Sequence, residues 1–154
     1  MTQIISAQEL FTGTSWISEV VIEMINGKIS AIKKEGYDHK AAFPLVVPAL
    51  IDLQIYGAGG KLLSEFPEAN TIQLIYEYCL AGGAAYFQPT IASQSNDIIM
   101  AAIKAVKEYK QGGGKGCMGL HIEGPWINPK KKGAHNEAVI HSPSLEEVKA
   151  ILDF

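Results

Sequence analysis

The residues best suited to chemistry lie in the segment from Gly119 to Pro125. It reads Gly-Leu-His-Ile-Glu-Gly-Pro and places Glu123 at the end of a strand-like run. A buried carboxylate is destabilising unless a positive partner balances it, and a divalent metal ion is a common partner. Two roles therefore stay open for Glu123: a metal ligand, or the partner of a buried lysine or arginine. Gly124 favours the metal, because glycine lets the backbone approach a ligand closely.

Two histidines accompany this carboxylate in the sequence. His121 lies two residues before Glu123, on the same face of a strand, and is either a metal ligand or a group that supports one; we favour the supporting role. His135 follows in a loop, between Ala134 and Asn136. A loop histidine in such surroundings is often only solvated. Its place after a strand that ends in Glu123 favours a contact with substrate instead.

Polar residues alternate with apolar ones in three strand-like segments. The polar members are Asp52, Gln54, Tyr56, Tyr86, Gln88, Thr90, Gly119, His121 and Glu123. A period of two sends each polar set to one face of its strand. Such a face is typical of the interior mouth of a (β/α)₈ barrel, where the chemistry lies at the carboxyl ends of the strands. We expect Gln54 to reach a metal ion through water, and Tyr56 to cover the end of the barrel.

The order of predicted elements favours a parallel sheet. Strands are predicted within 45–56, at 84–91 and at 117–123. Helices are predicted at 68–81 and from Ser93 or Ser95 to about 110. A last helix is predicted from the capping box at Ser144 onward and is still running at Phe154. Strand–helix alternation implies parallel pairing with right-handed crossovers. We expect Ile51, Leu53 and Ile55 to pack on helices.

Residues 1–47 have a different character and predict a small module of short strands. Segment 16–24 is rich in β-branched and aromatic residues, and Asn26-Gly27 is a strong hairpin signal. Segment 28–32 then returns as the partner strand. We therefore divide the chain into 1–47 and 48–154.

Composition excludes several classes of protein. The chain has 154 residues, of which 47% are hydrophobic and 19% charged, and its formal net charge is −3. This is a globular composition without the basic surface of a nucleic-acid binder, an apolar membrane span or a signal peptide. Cys79 and Cys117 predict core thiols in a reducing cytoplasm. The residues predict no Ser-His-Asp or Cys-His arrangement.

These residues resemble one enzyme family over nearly the whole chain. Segments 47–57, 86–90 and 119–136 are similar to the first three barrel strands of N-acetylglucosamine-6-phosphate deacetylases, in the amidohydrolase superfamily. The resemblance implies an α/β fold: a small β-sandwich segment over 1–47, then the first part of a (β/α)₈ metal-dependent hydrolase barrel, about three βα units, over 48–154. It also implies removal of acetate from N-acetylglucosamine 6-phosphate in amino-sugar catabolism.

The resemblance assigns roles to individual residues. Glu123 matches the metal-binding glutamate of the family, and Ala134 and His135 match a loop pair that contacts the sugar. Gln54 stands where other members of the superfamily carry a histidine, which fits one main metal ion rather than a bridged pair. Tyr56 departs from the asparagine common at its position.

The implied chemistry is metal-assisted hydrolysis of a linear amide, with a divalent ion: zinc first, iron or another divalent metal otherwise. The resemblance places the acid–base aspartate and two histidine ligands beyond Phe154, so no catalytic acid–base is assigned within the chain. Since a closed barrel needs about 250 residues, we expect this chain to be part of a longer enzyme and inactive alone. The family is usually dimeric, so the full-length protein is expected to be a homodimer that binds neither nucleic acid nor membrane.

Three functional hypotheses stay open. The first is a portion of an N-acetylglucosamine-6-phosphate deacetylase. The second is another amidohydrolase, acting on N-acetylgalactosamine 6-phosphate or on a ring amide. The third is a truncated, non-catalytic module that serves folding or assembly.

Overall fold

The computed structural model describes residues 1–153 and contains two compact units, Met1–Pro48 and Ala49–Phe154. Phe154 itself lies outside the described residues, and so does the prediction that a helix is still running there. No helix within residues 1–153 is both long enough and apolar enough to cross a bilayer.

The first unit is a four-stranded sheet. Its strands are β1 (Thr2–Phe11), β2 (Trp16–Ile25), β3 (Lys28–Lys33) and β4 (Phe43–Val46), in the spatial order β3-β2-β1-β4. The first three strands pair antiparallel, whereas β4 joins β1 in parallel. The predicted strand at 16–24 is confirmed as β2, although β1 and β2, with ten residues each, are longer than the short strands expected. One face of this sheet buries an apolar cluster of Ala7, Leu10, Val20 and Ile22.

The predicted hairpin of the first unit is confirmed. Asn26 and Gly27 have φ values of +52° and +75°, and Ile25 pairs with Lys28 across them. Two consecutive residues with positive φ are the mark of a type I′ turn, whose twist matches that of the paired strands.

The second unit alternates strands and helices, as the sequence predicted. Its main elements are β5 (Leu50–Ile55), α1 (Ala69–Ala81), β8 (Ala84–Ala92), α2 (Asn96–Gln111), β9 (His121–Glu123) and α3 (Leu145–Leu152), with a short hairpin of β6 (Gly57–Ala58) and β7 (Lys61–Leu62) after β5. β5, β8 and β9 pair in parallel in the order β5-β8-β9. The mixed α/β class with a parallel sheet is therefore confirmed.

The core of the second unit lies between this sheet and two helices. Phe87 and Ile91 of β8 are fully buried, together with Ile72 and Ile75 of α1 and Ala102 of α2. Phe87, Pro89 and Ile91 of β8 are buried and lie two residues apart, as the pleat of a strand requires. The sheet is thereby held against α1 and α2 on one face.

The third strand is shorter than predicted. β9 has three residues, whereas the sequence predicted a strand over 117–123. Gly116 and Gly119 have φ values of +74° and +148°, which interrupt the extended backbone. Between them, Cys117 forms only an isolated parallel bridge with Phe87.

One further prediction was wrong in detail. Ile55 is buried, but Ile51 and Leu53 are more than half exposed, because β5 is the edge strand of the described sheet and only its end reaches the core. Among the described residues, the last helix ends at Leu152 with Asp153 as its C-cap.

The start of the last helix is as predicted. The Oγ of Ser144 accepts from the backbone N–H of Glu147, and the carboxylate of Glu147 accepts from the backbone N–H of Ser144. These two bonds form the capping box, and they satisfy two backbone donors that a helix start leaves free.

Candidate metal and substrate site

Glu123 is the last residue of β9, and it lies at the carboxyl-terminal edge of the parallel sheet. Its side chain is 30% exposed. Tyr56 directly follows β5, and because the strands run parallel the two residues meet at this edge although 67 positions separate them. The Tyr56 hydroxyl donates to Oε2 of Glu123, and Nε2 of Gln54 donates to the Tyr56 hydroxyl at 2.6 Å.

This chain of hydrogen bonds lowers the pKa of the carboxylate. The pKa of Glu123 lies below its ordinary value mainly because the Tyr56 hydroxyl stabilises the anion, with His135 and His121 assisting and burial opposing. The pKa of Tyr56 is raised, chiefly because its proton is shared with that carboxylate. Glu123 is therefore an anion at neutral pH, with Oε2 engaged by Tyr56.

His135 approaches the other oxygen of the same carboxylate. Its Nε2 lies 3.7 Å from Oε1 of Glu123, and its side chain is only 16% exposed. Its Nδ1 contacts Ser93, at 2.7 Å from Oγ and 3.3 Å from the backbone nitrogen. The loop histidine thus lies within the site and is not merely solvated.

His121 lies beside the site and does not contact Glu123. Its Nδ1 is 3.3 Å from Oγ1 of the buried Thr90, on the neighbouring strand β8. The backbone register pairs these two residues directly, Thr90 with His121. The sheet thus holds His121 next to Thr90 on the neighbouring strand.

The loop after β9 carries the other predicted residues. Gly124 has φ +89°, in the left-handed region that favours glycine, and Pro125 follows through a cis peptide bond. Ala134 is exposed beside His135. Lys132 donates to the carbonyl of His135 at 3.4 Å and lies 3.9 Å from a carboxylate oxygen of Glu137.

Glu123 and His135 are two of the side-chain types that bind metal ions in proteins. Within residues 1–153, no group of three or more histidine, cysteine, aspartate or glutamate side chains is arranged to hold an ion. A carboxylate oxygen and an imidazole suit a divalent cation such as zinc, which is usually held by three or four protein ligands. The described residues therefore fit part of a metal site.

Comparisons with known proteins agree with the resemblance seen in the sequence. No protein-family model matches the chain. The N-acetylglucosamine-6-phosphate deacetylase of Haemophilus influenzae is 34% identical over 118 residues, which cover 77% of this chain and 29% of that protein. The human enzyme of the same name is 33% identical over 112 residues, 70% of this chain and 27% of that protein. The N-acetylgalactosamine-6-phosphate deacetylase of Escherichia coli O157:H7 is 26% identical over 156 residues, 99% of this chain and 41% of that protein.

Solved structures give the same result for the fold. The crystal structure of N-acetylglucosamine-6-phosphate deacetylase from Pasteurella multocida has a TM-score of 0.86 and 25% identity, over 99% of this chain and 42% of that one. The enzyme from Mycobacterium smegmatis, solved in complex with N-acetyl-D-glucosamine-6-phosphate, has a TM-score of 0.81 at 19% identity. The chain matches the N-terminal portion of N-acetylglucosamine-6-phosphate deacetylases. It spans less than half the length of the deacetylases it matches.

Within this deacetylase portion, sequence reasoning missed one contact of the site. The sequence predicted Ser93 only as one of two alternative starts of α2. In the structure, Ser95 occupies the N-cap position of α2, and the Ser95 side chain makes no capping bond. Ser93 lies one residue after β8 and reaches His135, 42 positions away. The only signal in the sequence was a polar residue directly after a buried strand. This signal does not indicate which residue the side chain contacts.

Proposed function

We propose that this chain is the N-terminal portion of a metal-dependent deacetylase that converts N-acetylglucosamine 6-phosphate to glucosamine 6-phosphate and acetate. The observation that carries the proposal is the anionic Glu123 at the end of β9, between Tyr56 and His135. The named relatives support the substrate class, since they are deacetylases of amino-sugar phosphates. In this proposal, β5, β8 and β9 with α1, α2 and α3 form the first three units of a (β/α)₈ barrel.

Glu123 is the proposed metal ligand in the described part of the chain. A divalent ion, zinc in the first place, supplies polarisation of the amide carbonyl and a lower pKa for bound water when it is present. Tyr56 holds Oε2 of Glu123 by a hydrogen bond, which leaves Oε1 available to a cation. Gln54 orients the Tyr56 hydroxyl, and its amide would contact the ion through a water molecule.

Ala134 and His135 are the proposed contacts to the sugar. His135 lies beside Oε1 of Glu123, so a group that binds near the ion also lies near this imidazole. Ala134 is exposed and presents its backbone on the same loop. His121 and Gly124 support the site, the first by its contact with Thr90 and the second by leaving room for Ser93.

The same geometry implies that the chain by itself binds metal poorly and does not turn over. Glu123 alone does not make a closed zinc site, and within residues 1–153 no group of three or more histidine, cysteine, aspartate or glutamate side chains is arranged to hold an ion. The missing ligands and the acid–base aspartate belong to the remainder of the barrel. Acetate release from N-acetylglucosamine 6-phosphate by the purified chain, with added zinc, is expected to equal the blank; turnover by the chain alone would contradict this.

A chimeric enzyme tests the positive part of the proposal. This chain replaces the matching N-terminal portion of the Haemophilus influenzae deacetylase, and acetate release is measured with a divalent metal. We expect activity, which Glu123→Gln abolishes and which Glu137→Gln, at an exposed glutamate of the following loop, leaves intact. A chimera that folds and binds metal equally well with and without Glu123 would overturn the assignment.

A galactosamine substrate is the second candidate. The Escherichia coli N-acetylgalactosamine-6-phosphate deacetylase matches 99% of this chain, more than the Haemophilus influenzae protein does, although at lower identity. The two sugars differ in the orientation of one hydroxyl group. Comparing kcat/KM of the chimera for the two sugar phosphates decides between them.

A further inference from the structure

Ser93 lies where it determines which ring nitrogen of His135 carries the proton that faces the site. It directly follows β8, and its side chain is only 4% exposed. Both its hydroxyl oxygen and its backbone nitrogen lie within hydrogen-bonding distance of Nδ1 of His135, at 2.7 and 3.3 Å. Two contacts from one buried residue to one ring nitrogen fix both the position and the rotation of the imidazole.

The backbone contact decides the direction of these bonds. A backbone N–H can only donate, so Nδ1 of His135 must accept and carries no proton. The Ser93 hydroxyl then donates to the same nitrogen, and the ring proton resides on Nε2. Nε2 faces Oε1 of Glu123 at 3.7 Å, which is beyond an ordinary hydrogen bond. The Nε2–H donor is therefore left for an acceptor that enters the site.

Gly124 makes this arrangement sterically possible. A Cβ atom at Gly124 would lie 2.1 Å from Oγ and 3.3 Å from Cβ of Ser93. A side chain there would displace the hydroxyl that holds His135. Ser93 thus contacts both Gly124 and His135, which lie on segments distant from it in sequence.

We propose that Ser93 is a positioning residue that holds His135 with Nδ1 as acceptor and Nε2–H as donor, so that the site presents this donor to an acceptor oxygen of the amino-sugar phosphate. The hydrogen-bond pattern stands on the geometry of Ser93 and His135 alone. Only the identity of the acceptor rests on the proposed function.

Long-range ¹H–¹⁵N correlation spectra of the histidine rings test the pattern directly. The spectra are recorded at about pH 8.5, roughly two units above the ordinary imidazole pKa. His135→Gln identifies the His135 signals among those of four histidines. We expect the Nε2-protonated tautomer, with the Nδ1 resonance displaced to lower chemical shift by the bonds it accepts. An Nδ1-protonated ring in the unmodified protein overturns the proposal, and this measurement needs no variant at Ser93.

Variants at residue 93 separate positioning from packing. Ser93→Ala removes the hydroxyl, and the Nδ1 resonance of His135 should move to higher chemical shift. Ser93→Thr keeps a hydroxyl and should restore the original resonance. Ser95→Ala is the matched control, because Ser95 is exposed and makes no capping bond. If Ser93→Ala and Ser95→Ala give the same His135 spectrum, Ser93 does not hold the ring.

Adding the sugar phosphate separates this inference from the proposed function. With N-acetylglucosamine 6-phosphate at saturating concentration in the chimera, the Nε2–H resonance of His135 should shift. An unshifted resonance, with the bond to Ser93 intact, refutes the substrate contact and leaves the hydrogen-bond pattern standing. A shift in the Ser93→Ala chimera equal to that in the parent refutes the positioning role.

Discussion

His135 and His141 lie six residues apart and each faces a glutamate, but the two pairs are built differently. Nδ1 of His141 lies 2.9 Å from the carbonyl oxygen of Val139, which can only accept, so this nitrogen carries a proton. Its Nε2 lies 2.7 Å from Oε1 of Glu147, close enough for a direct charge-assisted hydrogen bond. Both ring nitrogens thus face acceptors, which favours the protonated ring and raises the pKa of His141.

His135 has the opposite backbone partner. Its Nδ1 accepts from the N–H of Ser93, and its Nε2 stays 3.7 Å from Glu123. The pair at His141 is closed and holds the start of α3 through the capping box of Ser144. The pair at His135 is open: the Nε2–H of His135 and Oε1 of Glu123 do not bond to each other. The backbone group at Nδ1 is a donor for His135 and an acceptor for His141. This difference separates a histidine whose Nε2–H can bind a ligand from a structural one.

The largest effect on the open pair is expected from substituting Gly124, because it lies against Ser93, which holds His135. Gly124→Ala combines a left-handed φ of +89° with the close approach to Ser93, and we expect the free energy of unfolding to fall by about 2–5 kcal/mol. Gly113→Ala is the control, because Gly113 has φ +83° and open space around it; its loss should be only about 1–2 kcal/mol. Urea unfolding measures both, and equal losses would show that the contact with Ser93 does not matter.

Removing the Tyr56 hydroxyl changes the pKa of Glu123 in the open pair. The lowered pKa of Glu123 stabilises the fold above the ordinary value of 4.5, and this contribution is lost as the pH falls through the lowered pKa. In Tyr56→Phe the pKa should rise toward 4.5, so this contribution shrinks. A ¹³C titration of the Glu123 carboxyl measures the pKa.

The control for Tyr56 is Tyr86→Phe, on the neighbouring strand, where the side chain is exposed. It should leave the Glu123 titration unchanged. In the chimera, Tyr56→Phe should also weaken metal binding about 10–100-fold, the usual effect of losing a partner that orients a ligand. A Tyr56→Phe titration identical to that of the parent would show that the hydroxyl does not stabilise the carboxylate.

The closed pair should show the smallest effect, limited to α3 and dependent on pH. The pKa of His141 is raised, first by the Val139 carbonyl and then by Glu147, so its contribution is full below 6.5 and is lost as the pH rises through the raised pKa. The pKa of Glu147 is lowered, first by the Ser144 backbone, so its contribution is lost as the pH falls through a value below 4.5.

Amide exchange in α3, corrected for its intrinsic pH dependence, should therefore be slowest between about pH 4.5 and 6.5. His141→Gln should remove this maximum, whereas His39→Gln, in the first unit, should keep it. A maximum that survives His141→Gln would mean that the pair does not hold the helix start.

Local patterns in the sequence were sufficient for the elements whose cause is local. Asn26-Gly27 predicted the hairpin because a two-residue turn with positive φ requires such residues. The spacing of Ser144 and Glu147 predicted the capping box, because a cap involves only residues of one helical turn. The length of β9 escaped prediction because the effect of Gly116 and Gly119 on backbone direction depends on φ values that composition does not specify.

The sequence by itself determined that an acidic residue ends the third strand and that a histidine follows in the next loop. Only the tertiary structure decided what those side chains contact, because Tyr56 reaches Glu123 across 67 positions of chain and Ser93 reaches His135 across 42. Parallel strands bring their carboxyl ends to one edge, and the direction of a hydrogen bond depends on which backbone group arrives there. Neither the distance nor that direction is written in the spacing of residues along the chain.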